Sequence, residues 1–157
     1  MRDLAEHLGV TKAAIAYHFP AKEQILAELV EAPVHAVDEA LREHADAEPE
    51  VLLAAFLAVL ARQPPAYHAV ISDPSTGALA GLAERVGRQR ERLAALVAGP
   101  DPDVDQLLRA RTAVAVLQAG ALLADPADGS GERLPPHRQR VLVAAAVAAL
   151  RSRPDGL

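Results

Sequence analysis

Residues 2–19 read RDLAEHLGVTKAAIAYHF, and their local chemistry decides the fold. Arg2–Leu8 has the composition of a short helix, and Gly9 follows where a left-handed C-cap residue belongs. Thr11 is a good N-cap for a second helix running to about His18. Pro20 ends it, because proline disfavours helix at the preceding Phe19. Two short helices joined by a tight turn make a helix-turn-helix. Leu4, Ala5, Leu8, Val10 and Ile15 are expected to form the shared core, and small Ala5 lets the second helix come close. The N-terminal part of that helix would then face the major groove of DNA.

The rest of the chain points to an almost purely helical protein. Of its 157 residues 51% are hydrophobic and only 3% aromatic. The apolar residues are mainly Ala and Leu, the strongest helix formers. With no cysteine, disulfides and thiolate metal sites are excluded. There is no signal-peptide pattern, and no apolar run reaches the roughly 18–20 residues that a membrane span needs. These features predict a cytoplasmic protein without a membrane association. The net charge of −5 does not exclude nucleic acid, provided that positive groups converge locally.

A third helix starts near Ala21 or Lys22. Ile25, Leu26, Leu29, Val30, Val34, Val37 and Leu41 hold one apolar stripe that passes through Pro33 without changing phase. This predicts a long helix kinked at Pro33 and ending around Ala45, or else two helices broken there. Acidic Asp46–Glu50 marks a domain boundary. Further helices are expected over 51–62, 66–71, 76–98, 104–124 and 137–151, separated by Pro64-Pro65, the Asp73-Pro74-Ser75 turn, GPDPD at 99–103 and a Gly/Pro loop at 126–136.

The N-terminal motif resembles the TetR family of bacterial transcriptional regulators. The likeness rests on Arg2-Asp3-Leu4-Ala5, Gly9-Val10, Thr11-Lys12, Tyr17-His18-Phe19 and Lys22-Glu23. It is dense over about residues 2–26; beyond that only the helical pattern agrees. The resemblance implies an all-α fold with a DNA-binding region and connecting helix over 1–46, and an effector-binding and dimerisation domain over 47–157. It places Lys12, Ala13 and Ala16 against base edges, where a lysine can donate to guanine and an alanine methyl can touch thymine. Arg2 would reach a base or a phosphate, and Thr11, Tyr17, His18 and Lys22 would hold phosphates.

The chain departs from the family at three places. The family has a helix before the motif; Ala16 stands where an aromatic is common; Ala21 replaces a small polar cap. Met1 falls where the family carries Val or Thr, which predicts a natural start upstream.

In the C-terminal part the resemblance implies a homodimer through the helices at 104–124 and 137–151, paired as a four-helix bundle across a two-fold axis. Ala113, Ala115, Ala119 and Gly120, with Ala144, Ala145, Ala148 and Ala149, suit close approach; they suit a monomer core equally. Phe56, Leu60, Tyr67, His68, Leu79, Leu82 and Gln118 are candidate liners of an effector pocket for a small apolar or amphipathic molecule.

Catalysis has little support. The histidines show no metal spacing such as H-E-x-x-H, no Gly-rich phosphate loop follows a strand, and no serine sits in a nucleophile elbow. No cofactor is expected. The leading expectation is a ligand-responsive regulator, in the repressor mode, binding a double-stranded DNA operator as a homodimer. The alternative is a helical dimer that binds a small molecule or a partner subunit but no longer binds DNA.

Overall fold

The structure, a computed structural model, describes residues 2–63, 67–68, 81–123 and 134–152. Among the described residues there are seven helices and no strand. They are α1 (Arg2–Leu8), α2 (Lys12–His18), α3 (Lys22–Glu43), α4 (Pro49–Arg62), α5 (Leu82–Ala98), α6 (Val104–Leu123) and α7 (Pro136–Arg151). The protein is all-α, as its composition requires.

The first turn forms as its residues dictate. Gly9 takes a φ of 65°, a conformation that glycine adopts at no steric cost. Val10 N–H donates to Ala5 O at 3.0 Å and Gly9 N–H to Glu6 O at 3.3 Å. That pair of bonds is a Schellman motif, which satisfies the last carbonyls of α1. Thr11 Oγ1 then accepts from Ala14 N–H at 3.1 Å and caps α2. Ala21 lacks a capping side chain, but Gln24 Oε1 reaches back to the Ala21 N–H at 3.4 Å. Half of a capping box therefore opens α3.

The alternative of a break at Pro33 does not occur: α3 is continuous from Lys22 to Glu43 with Pro33 inside it. Buried Val30, Val34, Val37 and Leu41 hold the helix against α4 and α5 across that position. Helix α4 begins two residues earlier than expected, since Pro49 stands at the first helical position, where a missing N–H costs nothing. Helix α5 begins at Leu82 rather than at 76, because Gly81 lies in the left-handed region at φ 75°. Residues 69–80 lie outside the described residues; of the expected short helix at 66–71, Tyr67 and His68 are helical. Helix α6 opens with a full reciprocal cap that the GPDPD turn concealed. Gln106 N–H donates to Asp103 Oδ1 at 2.7 Å, and Asp103 N–H to Gln106 Oε1 at 2.8 Å.

One core joins the C-terminal half of α3 to α4 through α7. Leu41, Leu52, Leu53, Leu57, Leu93 and Leu117 are fully buried in it. Helix α6 packs between α5 and α7, and its approach to α7 is close: a Cβ on Gly120 would sit 2.3 Å from Leu142 Cδ2. Gly120 and fully buried Ala113 thus serve the monomer's own packing. Ala115, Ala119, Ala144, Ala145 and Ala148 are exposed, and Ala149 is half-buried.

Helices α1 and α2 stand apart from this core and pack chiefly on each other. Their seam buries Ala5 and Ile15. Leu4, Leu8 and Val10, expected inside, are exposed, Leu8 to 59%. Two seven-residue helices offer one contact line, which is too narrow to enclose five apolar side chains. Among the described residues no helix is long and apolar enough to cross a membrane.

Candidate functional site

The first candidate surface is α2. Lys12, Ala13, Ala16 and Tyr17 recur at helical spacing that gives them one face, and all four are exposed, Tyr17 to 82%. Ile15 is buried on the other side against α1. The helix is therefore anchored by one residue and presents the rest. Thr11 is exposed at its start. Its hydroxyl oxygen is taken by the Ala14 amide, yet its O–H can still donate to an anion. His18 is exposed but falls off the shared face by helical spacing. Its ring meets Tyr17 edge-on, with centroids 5.2 Å apart. The side chains of Arg2 and Lys22 lie outside the described residues.

The second candidate is a cavity of about 40 Å³ enclosed by α3, α4, Tyr67-His68, α5 and α6. Phe56, Leu60, Tyr67, His68 and Gln118 line it, brought together from three separate parts of the chain. Leu82 does not: it is buried in the main core. Leu79 lies outside the described residues. Val37, Val86, Gln89, Arg90, Ala121 and Leu122 line the cavity as well and were not anticipated. Val37 and Val86 sit on plain amphipathic stripes. Gln89 and Arg90 lie in a charged run that reads as solvated surface, so no local signal marks them.

Two of the polar groups around this cavity have hydrogen-bond partners. Gln89 Nε2 donates to Val34 O at 2.8 Å in the buried interface between α5 and α3. His68 Nε2 lies 3.2 Å from Leu60 O, and its ring meets Tyr67 edge-on with centroids 5.5 Å apart. Burial pushes the Tyr67 phenol above its ordinary range, and the nearby Arg90 charge opposes that rise. On the outer surface, Arg85 forms a two-pronged pair with Glu31 at 2.6 and 3.1 Å. This second tie joins α5 to α3 one turn from the first.

Residues 1–29 match the family model of bacterial regulatory proteins of the tetR family. The N-terminal segment is that of a tetR-family regulator. Neither a curated protein nor a solved structure matches the chain. The tetR family is one of DNA-binding transcriptional regulators. The tetR segment covers α1, α2 and the first two turns of α3, and α3 then continues into the wall of the cavity at Val37.

Proposed function

We propose that this tetR-family chain is a ligand-responsive transcriptional repressor. It acts in the cytoplasm as a homodimer on a double-stranded DNA operator. The observation that carries the reading is the span of α3. A single continuous helix begins in the tetR segment and supplies Val37 to the cavity. A small apolar or amphipathic effector of ordinary size needs roughly 300–1,000 Å³, whereas the cavity holds about 40 Å³. Its entry must therefore move one or more of the lining elements, α3, α4, the Tyr67-His68 segment, α5 and α6. Movement of α3 displaces the reading head, and a ligand that prefers the displaced state lowers DNA affinity.

In this reading Lys12, Ala13 and Ala16 meet base edges. Arg2, Thr11, Tyr17, His18 and Lys22 engage phosphates or set register. The dimer face is supported by two exposed stripes of near-heptad spacing. On α6 these are Val104, Leu108, Thr112, Ala115, Ala119 and Leu122; on α7 they are Val141, Ala144, Ala145 and Ala148. Val104, Leu108 and Val141 are 83%, 61% and 66% exposed, a large apolar exposure for neighbouring helices of a monomer. Packed across a two-fold axis, they bury as a four-helix bundle and hold two reading heads about 34–36 Å apart.

Selecting DNA fragments on the purified protein and titrating the recovered sequence against salt tests the reading. Sequence-selective binding that weakens steeply with salt is expected, because each phosphate contact releases a counterion. A chain without sequence preference at low salt would instead support a second reading, a helical dimer that binds ligand or a partner subunit but not DNA. The exposed Leu4, Leu8 and Val10 beside the reading helix favour that alternative.

A further inference from the structure

Three arginines on α5 and α6 are neutralised by carboxylates. Arg85 pairs with Glu31 at 2.6 Å, Arg88 pairs with Glu84, and Arg111 on α6 pairs with Glu91 at 2.7 Å. Arg90 differs. It lines the cavity, it is exposed at the cavity's edge, and among the described residues it makes no ion pair and no hydrogen bond. Its neighbour Glu91 pairs with Arg111.

The remaining lining decides what this cation is for. Val37, Phe56, Leu60, Val86, Ala121 and Leu122 make the walls apolar, and no Asp or Glu lines the cavity among the described residues. Gln89 is committed to the Val34 carbonyl. Tyr67 is buried close enough to Arg90 to feel its charge. With His68 and Gln118 completing the lining, the site is a mainly apolar chamber whose edge carries a guanidinium that no described residue neutralises. A guanidinium binds a carboxylate through two parallel hydrogen bonds, while a cationic ligand meets repulsion and no counter-charge.

We propose that the cavity takes an amphipathic anion, an apolar body bearing one carboxylate, with Arg90 pairing the carboxylate at the mouth. This assignment rests on the reading of the cavity as the effector site. It adds the sign of the ligand's charge and the residue that reads it.

The test uses chain-matched probes: octanoate, 1-octanol and octylammonium, titrated calorimetrically into the intact protein. Octanoate is expected to bind about tenfold more tightly than either of the others. Arg90→Gln should remove that advantage while leaving 1-octanol binding unchanged. Arg90 is exposed and makes no pair among the described residues, so the variant should keep the wild-type circular dichroism. An Ala121→Phe variant, which fills the chamber, should abolish binding of all probes. Equal or tighter binding of octylammonium or 1-octanol, blocked by Ala121→Phe, overturns the anion assignment and leaves the effector site standing. So does an octanoate preference that survives Arg90→Gln. Binding that persists in Ala121→Phe, or no binding of any probe, overturns the effector site itself and the assignment with it.

Discussion

Gln89 on α5 donates its side-chain amide to the carbonyl of Val34 on α3 at 2.8 Å. Val34 follows Pro33, the point at which α3 lacks a backbone donor and is weakest as a rod. Gln89 also lines the cavity. One side chain therefore touches both the cavity and the turn at Pro33 of the helix that begins in the tetR segment. Replacing Gln89 by Leu removes the donor, which should cost about 0.5–1.5 kcal/mol of stability. Gln89→Glu should cost more, since it places a carboxylate against a carbonyl in a buried interface. Urea unfolding of the two variants checks the order, and a Glu variant as stable as the Leu variant would contradict it.

The second tie between the same helices is ionic and depends on pH. The Arg85 guanidinium, through its hydrogen bonds, holds the Glu31 carboxyl below its ordinary range. Desolvation acts in the opposite direction, and the charges of Arg85 and His35 add to the lowering. A carboxylate whose folded pKa is depressed adds stability above its unfolded pKa. That stability is lost as the pH falls through the folded value. Thermal unfolding of wild type and Glu31→Gln should thus differ at neutral pH and converge in acid, below the ordinary carboxylate range. A difference that grows on acidification would refute the assignment. High salt should shrink the neutral-pH difference, because both partners are substantially solvated.

Gly120 marks the closest approach of α6 to α7. An added Cβ would meet Leu142 Cδ2 at 2.3 Å and Cδ1 at 2.8 Å. Alanine is favoured over glycine in a helix by about 1 kcal/mol, yet here it must displace a half-buried leucine, at a cost of roughly 1–3 kcal/mol. Gly120→Ala is expected to destabilise the wild type and to stabilise a Leu142→Ala background. A double-mutant cycle reads this change of sign directly.

On α2 folding and reading are separable. Thr11→Ala removes the cap on the Ala14 amide and should cost about 0.5–2 kcal/mol; Thr11→Ser should restore it. Tyr17→Ala should leave stability within about 0.5 kcal/mol, because the ring stands in solvent, while weakening DNA binding across all sequences. Lys12→Ala should instead relax base preference at one operator position. Binding curves on selected and scrambled DNA distinguish the two. A Tyr17→Ala protein that unfolds would show that the ring is structural.

How much of this was legible beforehand follows from the range of the forces involved. The α1–α2 turn was legible in detail, because Gly9, Thr11 and Pro20 act on the backbone within a few residues. The same locality allowed the tetR likeness to be read from residues 2–26. The reciprocal Asp103–Gln106 cap was equally local; its D-x-x-Q spacing lay behind the two prolines of the turn. Five of the seven anticipated cavity residues do line one cavity, since bulky apolar and amphipathic side chains on neighbouring helices are bound to meet somewhere.

What escaped the sequence is whatever depends on which surfaces face each other. Leu4, Leu8 and Val10 have the character of core residues, and only the single narrow seam between α1 and α2 left them exposed. Gly120 and Ala113 suited either a partner subunit or the monomer's own core, and the packing of α6 on α5 and α7 uses them inside the monomer.

The sequence by itself determined the all-helical class, the element order and the tetR character of the first 29 residues, because helix propensity, caps and turn residues act along the chain. Only the tertiary structure decided that α3 runs unbroken past Pro33, that Gln89 and Arg85 bind it to α5, and that Arg90 stands at the edge of a mainly apolar cavity without a carboxylate partner among the described residues. Each of these is a contact or a missed contact between residues distant in sequence. Their chemistry is printed in the chain, but their partners are chosen by packing.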